Sequence, residues 1–233
     1  MLEFINFTKY YGNKLAVDNL SFKVEKGDIY AFVGPNGAGK TTSLKSACGI
    51  LEFDSGDILI DGKSIKTNPI ECKKKIAYLP DNPDLYEFLK GIDYLNFICD
   101  IYEIKEREEI IKKYSDLFEL TGFLGNTINT YSHGMKQKLA IISSLIHKPK
   151  LLILDEPFVG LDPISAHNLQ IVLKELTKEG TAVLFSTHVL EVAEKLCNKV
   201  AIIKNGKLIV SGNIKKVLRD KSLEDLFLEQ VHE

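Results

Sequence analysis

Gly34-Pro35-Asn36-Gly37-Ala38-Gly39-Lys40-Thr41-Thr42 stands directly after a short apolar run, Ile29 to Val33, and leads into a segment of helical character that reaches Ile50. Up to Thr41 it matches the pattern GxxxxGK[ST] between a strand and a helix. The spacing has a chemical reason. Glycines let backbone N–H groups turn inward around phosphate oxygens, and a helix start adds partial positive charge. From its place Lys40 reaches β- and γ-phosphates, the Thr41 hydroxyl ligates Mg2+, and Thr42 offers a further donor to an α-phosphate. A glycine-rich loop that merely turns a strand into a helix is the plainer alternative. With glycine near 7% of residues, however, the four specified positions coincide in only about one chain in a hundred of this length.

A second motif lies downstream. Leu151-Leu152-Ile153-Leu154-Asp155-Glu156-Pro157 is a buried-type strand ending in two carboxylates. Strand ends at the C-terminal edge of a parallel sheet are where α/β sites assemble. There Asp155 lies beside the phosphate loop and holds Mg2+ through water, and Glu156 accepts a proton from an attacking water as general base. His188, after the strand TAVLFST, either donates a hydrogen bond to a γ-phosphate or is an ordinary capping residue at a strand end.

The rest of the chain fits that reading. At 233 residues it is one domain, with room for an inserted subdomain. A net charge of −2 gives no electrostatic argument for nucleic acid, which favours basic domains. Cys48, Cys72, Cys99 and Cys197 lie far apart without a CxxC pair, so reduced thiols are expected rather than a zinc site or disulfides. MLEFINFTKYY alternates apolar and polar residues, unlike a signal peptide, and no apolar run approaches the ~20 residues of a membrane span. A soluble, cytoplasmic protein is expected.

Residues 1–60 read as strands, with Leu20, Phe22 and Val24 alternating and Ile58 to Ile60 held between SG and DG turns. A strand over Ile76–Leu79 precedes PDNPD, and apolar residues then take helical spacing from about Ile92 to Leu124. Further helices are predicted to about His147, from Pro163 to Lys178 and from near Val189, with strands at TAVLFS and VAII. Proline suits the first turn of a helix, where its missing N–H would be unpaired. Short apolar strands alternating with helices imply an α/β core with a mostly parallel sheet. No internal repeat interrupts the pattern.

GPNGAGKTT, LLILDEP, GLDP and STH occur in an order and separation that make the chain resemble, along nearly its whole length, the ATP-binding domain of ABC transporters. The resemblance implies a P-loop NTPase fold with an N-terminal antiparallel β-subdomain. The nucleotide-binding core would span about 1–81 and 146–212, an inserted helical subdomain about 82–145, and an amphipathic tail about 213–233. It places Tyr11, or less favourably Tyr10, against the adenine of ATP. Its signature turn falls on Tyr131-Ser132-His133-Gly134-Met135, and in the family that turn caps the ATP held by a second, head-to-tail copy. Ser132 and Gly134 supply the hydroxyl and the close backbone N–H this needs, whereas His133 and Met135 depart from the usual glycine and glutamine. The family's glutamine after the IAYLP-like strand is here Asp81, which either approaches Mg2+ through water or serves the joint into the helical subdomain. Asp162, in GLDP, matches the loop between the two nucleotide sites.

The implied activity is Mg2+-dependent ATP hydrolysis in a homodimer or heterodimer of such subunits. These would sit on the cytoplasmic face of the membrane through separate permease subunits, and the YSHGMKQK form and the SLEDLFLEQ tail look most like exporter ATPases. A soluble ABC ATPase acting on ribosomes or DNA is the second reading; the single domain and the lack of heptads speak against it. A P-loop kinase or GTPase would leave the SHG turn and STH without explanation.

Overall fold

The computed structural model describes residues 1–232; the final residue of the predicted tail lies outside them. The chain begins with a hairpin, β1 (Leu2–Tyr11) and β2 (Lys14–Val24), followed by β3 (Ile29–Val33) and helix α1 (Lys40–Ala47). Next come β4 (Ser55–Ile60), β5 (Lys63–Ser64), α2 (Pro69–Lys73), β6 (Ile76–Leu79), α3 (Gly91–Ile101), α4 (Arg107–Leu117) and α5 (His133–Leu145). The last part holds β7 (Leu151–Asp155), α6 (Pro163–Lys178), β8 (Ala182–Thr187), α7 (Leu190–Leu196), β9 (Lys199–Lys204), β10 (Lys207–Asn213), α8 (Ile214–Leu218) and α9 (Leu223–His232).

Two sheets result. One is four-stranded and antiparallel in the order β2-β1-β4-β5, and the other six-stranded in the order β10-β9-β3-β8-β7-β6. The DG turn closes the β4–β5 hairpin because Asp61 and Gly62 both take positive φ, as a two-residue turn requires. In the larger sheet every pairing except the β10 edge is parallel. This is the α/β arrangement with an antiparallel N-terminal sheet that the sequence implies.

Alternation along the parallel strands divides the core into two layers. Ala31, Val33, Leu152, Leu154, Val183 and Phe185 pack with Leu139, Ile142, Leu169 and Leu173 from the helices. Tyr30, Phe32, Leu151, Ile153 and Leu184 face the other way, onto Leu44 of α1 and Phe4, Phe22 and Ile58 of the antiparallel sheet. The parallel sheet is thus covered on both sides.

Several predicted elements differ at their ends. α1 stops at Ala47 rather than Ile50, because Gly49 turns the chain away at φ +62. α6 runs from Pro163 to Lys178 as the proline predicts, with Asp162 as its N-cap. β10 was not foreseen. It is an edge strand whose partly buried Leu208 and Val210 give too little apolar signal to announce it.

Parallel register brings the strand exits together. Val33 lies opposite Thr187, and Asp155 opposite Ser186, so the segments starting at Gly34, Glu156 and His188 emerge from one edge. Leu184 is fully buried on the central strand β8. Leu184→Ala should cost about 3 kcal/mol by cavity creation, read as a lower urea midpoint with an unchanged slope.

Candidate functional site

The loop after β3 is wrapped tightly enough to dictate its glycines. A Cβ at Gly34 would stand 2.3 Å from the Ile203 carbonyl oxygen, and one at Gly39 2.7 Å from that of Ala16. Gly37 and Gly39 also have φ of +78 and +104, where other residues are strained. Lys40 opens α1 and donates from Nζ to the carbonyls of Gly34 at 2.6 Å and Pro35 at 3.2 Å. Burial lowers its pKa, and the charges of Glu156 and Asp155 oppose that shift.

An open cleft of about 600 Å3 lies over this loop. Asn36, Gly37, Gly39, Lys40, Thr41 and Thr42 line it, together with Tyr11, Asp81, Asp155 and Glu156. Gly34, Pro35 and Ala38 belong to the loop but not to the lining of the cleft. Tyr11 is half exposed, with its hydroxyl 3.5 Å from Thr42 Oγ1. Its neighbour Tyr10 does not line the cleft; its backbone N–H donates to Asp54 Oδ2 at 2.7 Å. Lys14, Leu15, Ala16 and Asn205 complete the lining and were not foreseen. The first three open strand β2 and Asn205 lies in the β9–β10 turn, and only tertiary packing carries them to the loop.

Asp155 is 2% exposed. Its Oδ1 accepts a hydrogen bond from Ser186 Oγ, whereas Oδ2 is buried without a hydrogen-bond partner. A buried carboxylate oxygen left unpaired costs free energy, and a cation would offset that cost. Thr41, Asp81 and Glu156 also place side-chain oxygens on the cleft. Oxygen donors of this kind, one or two carboxylates beside phosphates, suit Mg2+.

Glu156 has left-handed backbone, φ +50, an unusual state for a residue with a long side chain. Its N–H bonds to Ser186 Oγ at 3.1 Å and to the Ser186 carbonyl at 3.2 Å. Its Oε2 accepts from the His188 N–H at 3.3 Å and lies 2.9 Å from His188 Nδ1. Ser186 therefore seats both acids. It was missed in the sequence, where the only signal was its place just before Thr187 and His188.

The YSHGM turn stands apart from this cleft. Ser132 is the N-cap of α5, its Oγ accepting from Met135 N–H at 3.3 Å. Tyr131 is buried and donates to the Phe123 carbonyl at 2.8 Å, and Met135 packs half-buried against the core. Ser132 and His133 are exposed, and the Gly134 backbone approaches Gly160 closely. Asp162 caps α6 by accepting from the N–H and hydroxyl of Ser165 and pairs with Lys138 at 2.7 Å. Lys138 and the Ser165 hydrogen bonds hold its carboxyl far below the ordinary carboxylate range.

Among the described residues no helix is long and apolar enough to cross a membrane. The family profile described as ABC transporter matches residues 17–159. The uncharacterized ABC transporter ATP-binding protein YhcH of Bacillus subtilis (strain 168) is 38% identical over 234 residues, covering 100% of this chain and 76% of the relative. The linearmycin resistance ATP-binding protein LnrL of the same organism is 36% identical over 217 residues, 91% of this chain and 69% of its own. A solved structure described as the ATP binding subunit of an ABC transporter superposes with a TM-score of 0.94 at 32% identity, covering 98% of each chain.

Removing the Ser186 hydroxyl leaves the buried Asp155 Oδ1 without its donor, while the Glu156 N–H keeps only the Ser186 carbonyl. Ser186→Ala should lower unfolding free energy by about 2 kcal/mol, measured by urea titration.

Proposed function

The chain belongs to the ABC transporter ATP-binding family, and on that premise we propose that it is the ATP-hydrolysing subunit of a multi-subunit exporter. The observation that carries this reading is the convergence, at one sheet edge, of the Lys40 loop, a buried carboxylate with a free oxygen, and a Glu156–His188 pair.

Each residue then has a role. The N–H groups of Asn36 to Thr42 and the Lys40 ammonium bind the phosphates, and Tyr11 stacks on the adenine. Thr41 and Asp155 would hold Mg2+, with Asp81 reaching it through water. That ion, when bound, neutralises charge on the phosphate oxygens. Glu156 takes the proton of the attacking water, and His188 orients its carboxylate. A held, pre-aligned base needs no reorganisation at the moment of reaction, which is where positioning lowers the barrier.

Ser132, His133, Gly134 and Met135 lie outside their own chain's cleft, so they would cap the ATP held by a second copy, identical or not, whose own turn would cap this chain's ATP. ATP drives such closure only if it binds the closed dimer better than the open one. Asp162 would connect the two sites. The segment 82–145 reads as an inserted helical subdomain, and on it Tyr86, Phe88, Phe97 and Ile101 remain exposed. An apolar patch of this kind suits a partner helix, and we assign it to a permease that places the subunit on the cytoplasmic face of the membrane. The relative named for linearmycin resistance supports export; relatives named as transporter subunits favour this over a soluble ATPase acting on ribosomes or DNA.

Glu156→Gln should lower ATP turnover by at least about 100-fold while ATP remains bound in a stable dimer. Turnover within a few-fold of the parent would remove Glu156 as the base. Affinity purification from solubilised membranes should recover an integral membrane partner. Recovery with ribosomes or DNA alone would overturn the transporter reading.

A further inference from the structure

The residue at which the signature turn departs most from its family's pattern is built into the catalytic loop of its own chain. Gly160 has φ +78, and a Cβ there would stand 2.8 Å from His133 Cδ2 and 3.0 Å from Nε2. The edge of the imidazole therefore takes the space in which a side chain at Gly160 would begin. Beside it a Cβ at Gly134 would stand 2.9 Å from the Gly160 carbonyl oxygen, so the two backbones meet with nothing between them.

Further contacts from α5 reach the same loop. Gln137, 1% exposed, directs Nε2 at the Pro157 carbonyl at 3.5 Å, and Lys138 pairs with Asp162 at 2.7 Å. The loop itself begins at Glu156. Val159 N–H bonds back to the Glu156 carbonyl at 3.1 Å, and Leu161 N–H to that of Phe158 at 3.4 Å. These are two consecutive turns, with the left-handed Glu156 at one end and Gly160 near the other. Lys136 pairs with Glu87, and the exposed His133 also borders, with Lys136, a cleft lined by Asn82, Asp84 and Glu87.

We infer that His133 is a positioning residue for Glu156: its ring presses on Gly160 and holds the 156–161 turns in the geometry that presents the carboxylate. The inference rests on the hydrolytic reading of Glu156. A glycine at 133, as in the family pattern, could not make this contact, so the departure supplies a wedge the common form lacks. It also makes the start of α5, the part offered to a neighbouring copy, rigid with the loop carrying this chain's own base. A load on Ser132 and Gly134 is then felt at Glu156 of the same chain.

The test is a double-mutant cycle between His133→Ala and Gly160→Ala in the full chain, read by ATP turnover and by hydrogen exchange. His133→Ala should lower kcat about tenfold with KM for ATP unchanged, since small misplacements of a catalytic group act on the chemical step. Exchange at the Val159 and Leu161 amides should quicken about tenfold while the melting temperature stays put, as expected of a local opening. His133→Gln, which returns a planar group of similar reach, should recover most of the lost rate. Gly160→Ala is strained in either background, but the collision with the ring vanishes in the double variant, so the two effects should be non-additive. Additive effects, or unaltered exchange in His133→Ala, would overturn the inference. The two readings fail separately. Quickened exchange in a chain that never hydrolyses ATP overturns the hydrolytic role and leaves the clamp standing, whereas robust turnover with unaltered exchange does the reverse.

Discussion

The in-register pairing of β3, β8 and β7 is the constraint on which the site depends. Because Val33 faces Thr187 and Asp155 faces Ser186, three segments far apart in sequence leave the sheet at one edge. A slip of one residue in β7 would exchange the faces of its side chains and turn the Asp155 carboxylate away from the phosphate loop. Burial on both sides resists that slip, since Leu152 and Leu154 belong to one apolar layer and Leu151 and Ile153 to the other. Ser186 adds a polar lock. It bonds to Asp155 Oδ1 and to the Glu156 N–H, two groups on either side of the strand's end.

The antiparallel sheet holds the phosphate loop from the other side. The Asp18 N–H bonds to the Gly206 carbonyl at 2.9 Å, and the Gly206 N–H to that of Ala38 at 3.0 Å. A Cβ at Gly206 would stand 2.8 Å from the Ala16 carbonyl oxygen, and one at Gly39 2.7 Å from the same atom. The β9–β10 turn is therefore wedged between the phosphate loop and the β1–β2 hairpin. This explains why Leu15, Ala16 and Asn205 share a cleft with Lys40. It also fixes Tyr11, at the end of β1, over the loop instead of leaving it on a free hairpin.

What could be read from the sequence follows the range of the interactions. The phosphate loop and α6 were legible because their signals are local: glycines at fixed spacing, and a proline in the first helical turn. Buried parallel strands were legible as apolar runs. β10 was not, because an edge strand half open to solvent carries little pattern. Ser186 passed unnoticed because a serine in a buried strand has no signature until its acceptors are placed opposite it. The choice between Tyr10 and Tyr11 needed the strand's facing, which shows Tyr11 on the cleft and Tyr10 bonded to Asp54. His133 was visible as an oddity, but its contact with Gly160 depends on how α5 packs on the loop after β7.

Ser132 shows how a structural role and a proposed trans role fit in one side chain. A hydroxyl has one proton to give and two lone pairs to receive with. In the cap it uses only a lone pair, accepting from Met135 N–H, a contact typical of N-caps and worth about 1 kcal/mol. The cap does not use its proton, so the proposed contact with the second copy's ATP would draw on it, and the cap fixes the oxygen that carries it. The neighbouring positions then divide the work. Gly134 has no side chain to cover its backbone N–H, and the edge of the exposed His133 ring lies against Gly160. The bulky histidine is accommodated because the edge of its ring occupies the space beside a residue that has no side chain of its own.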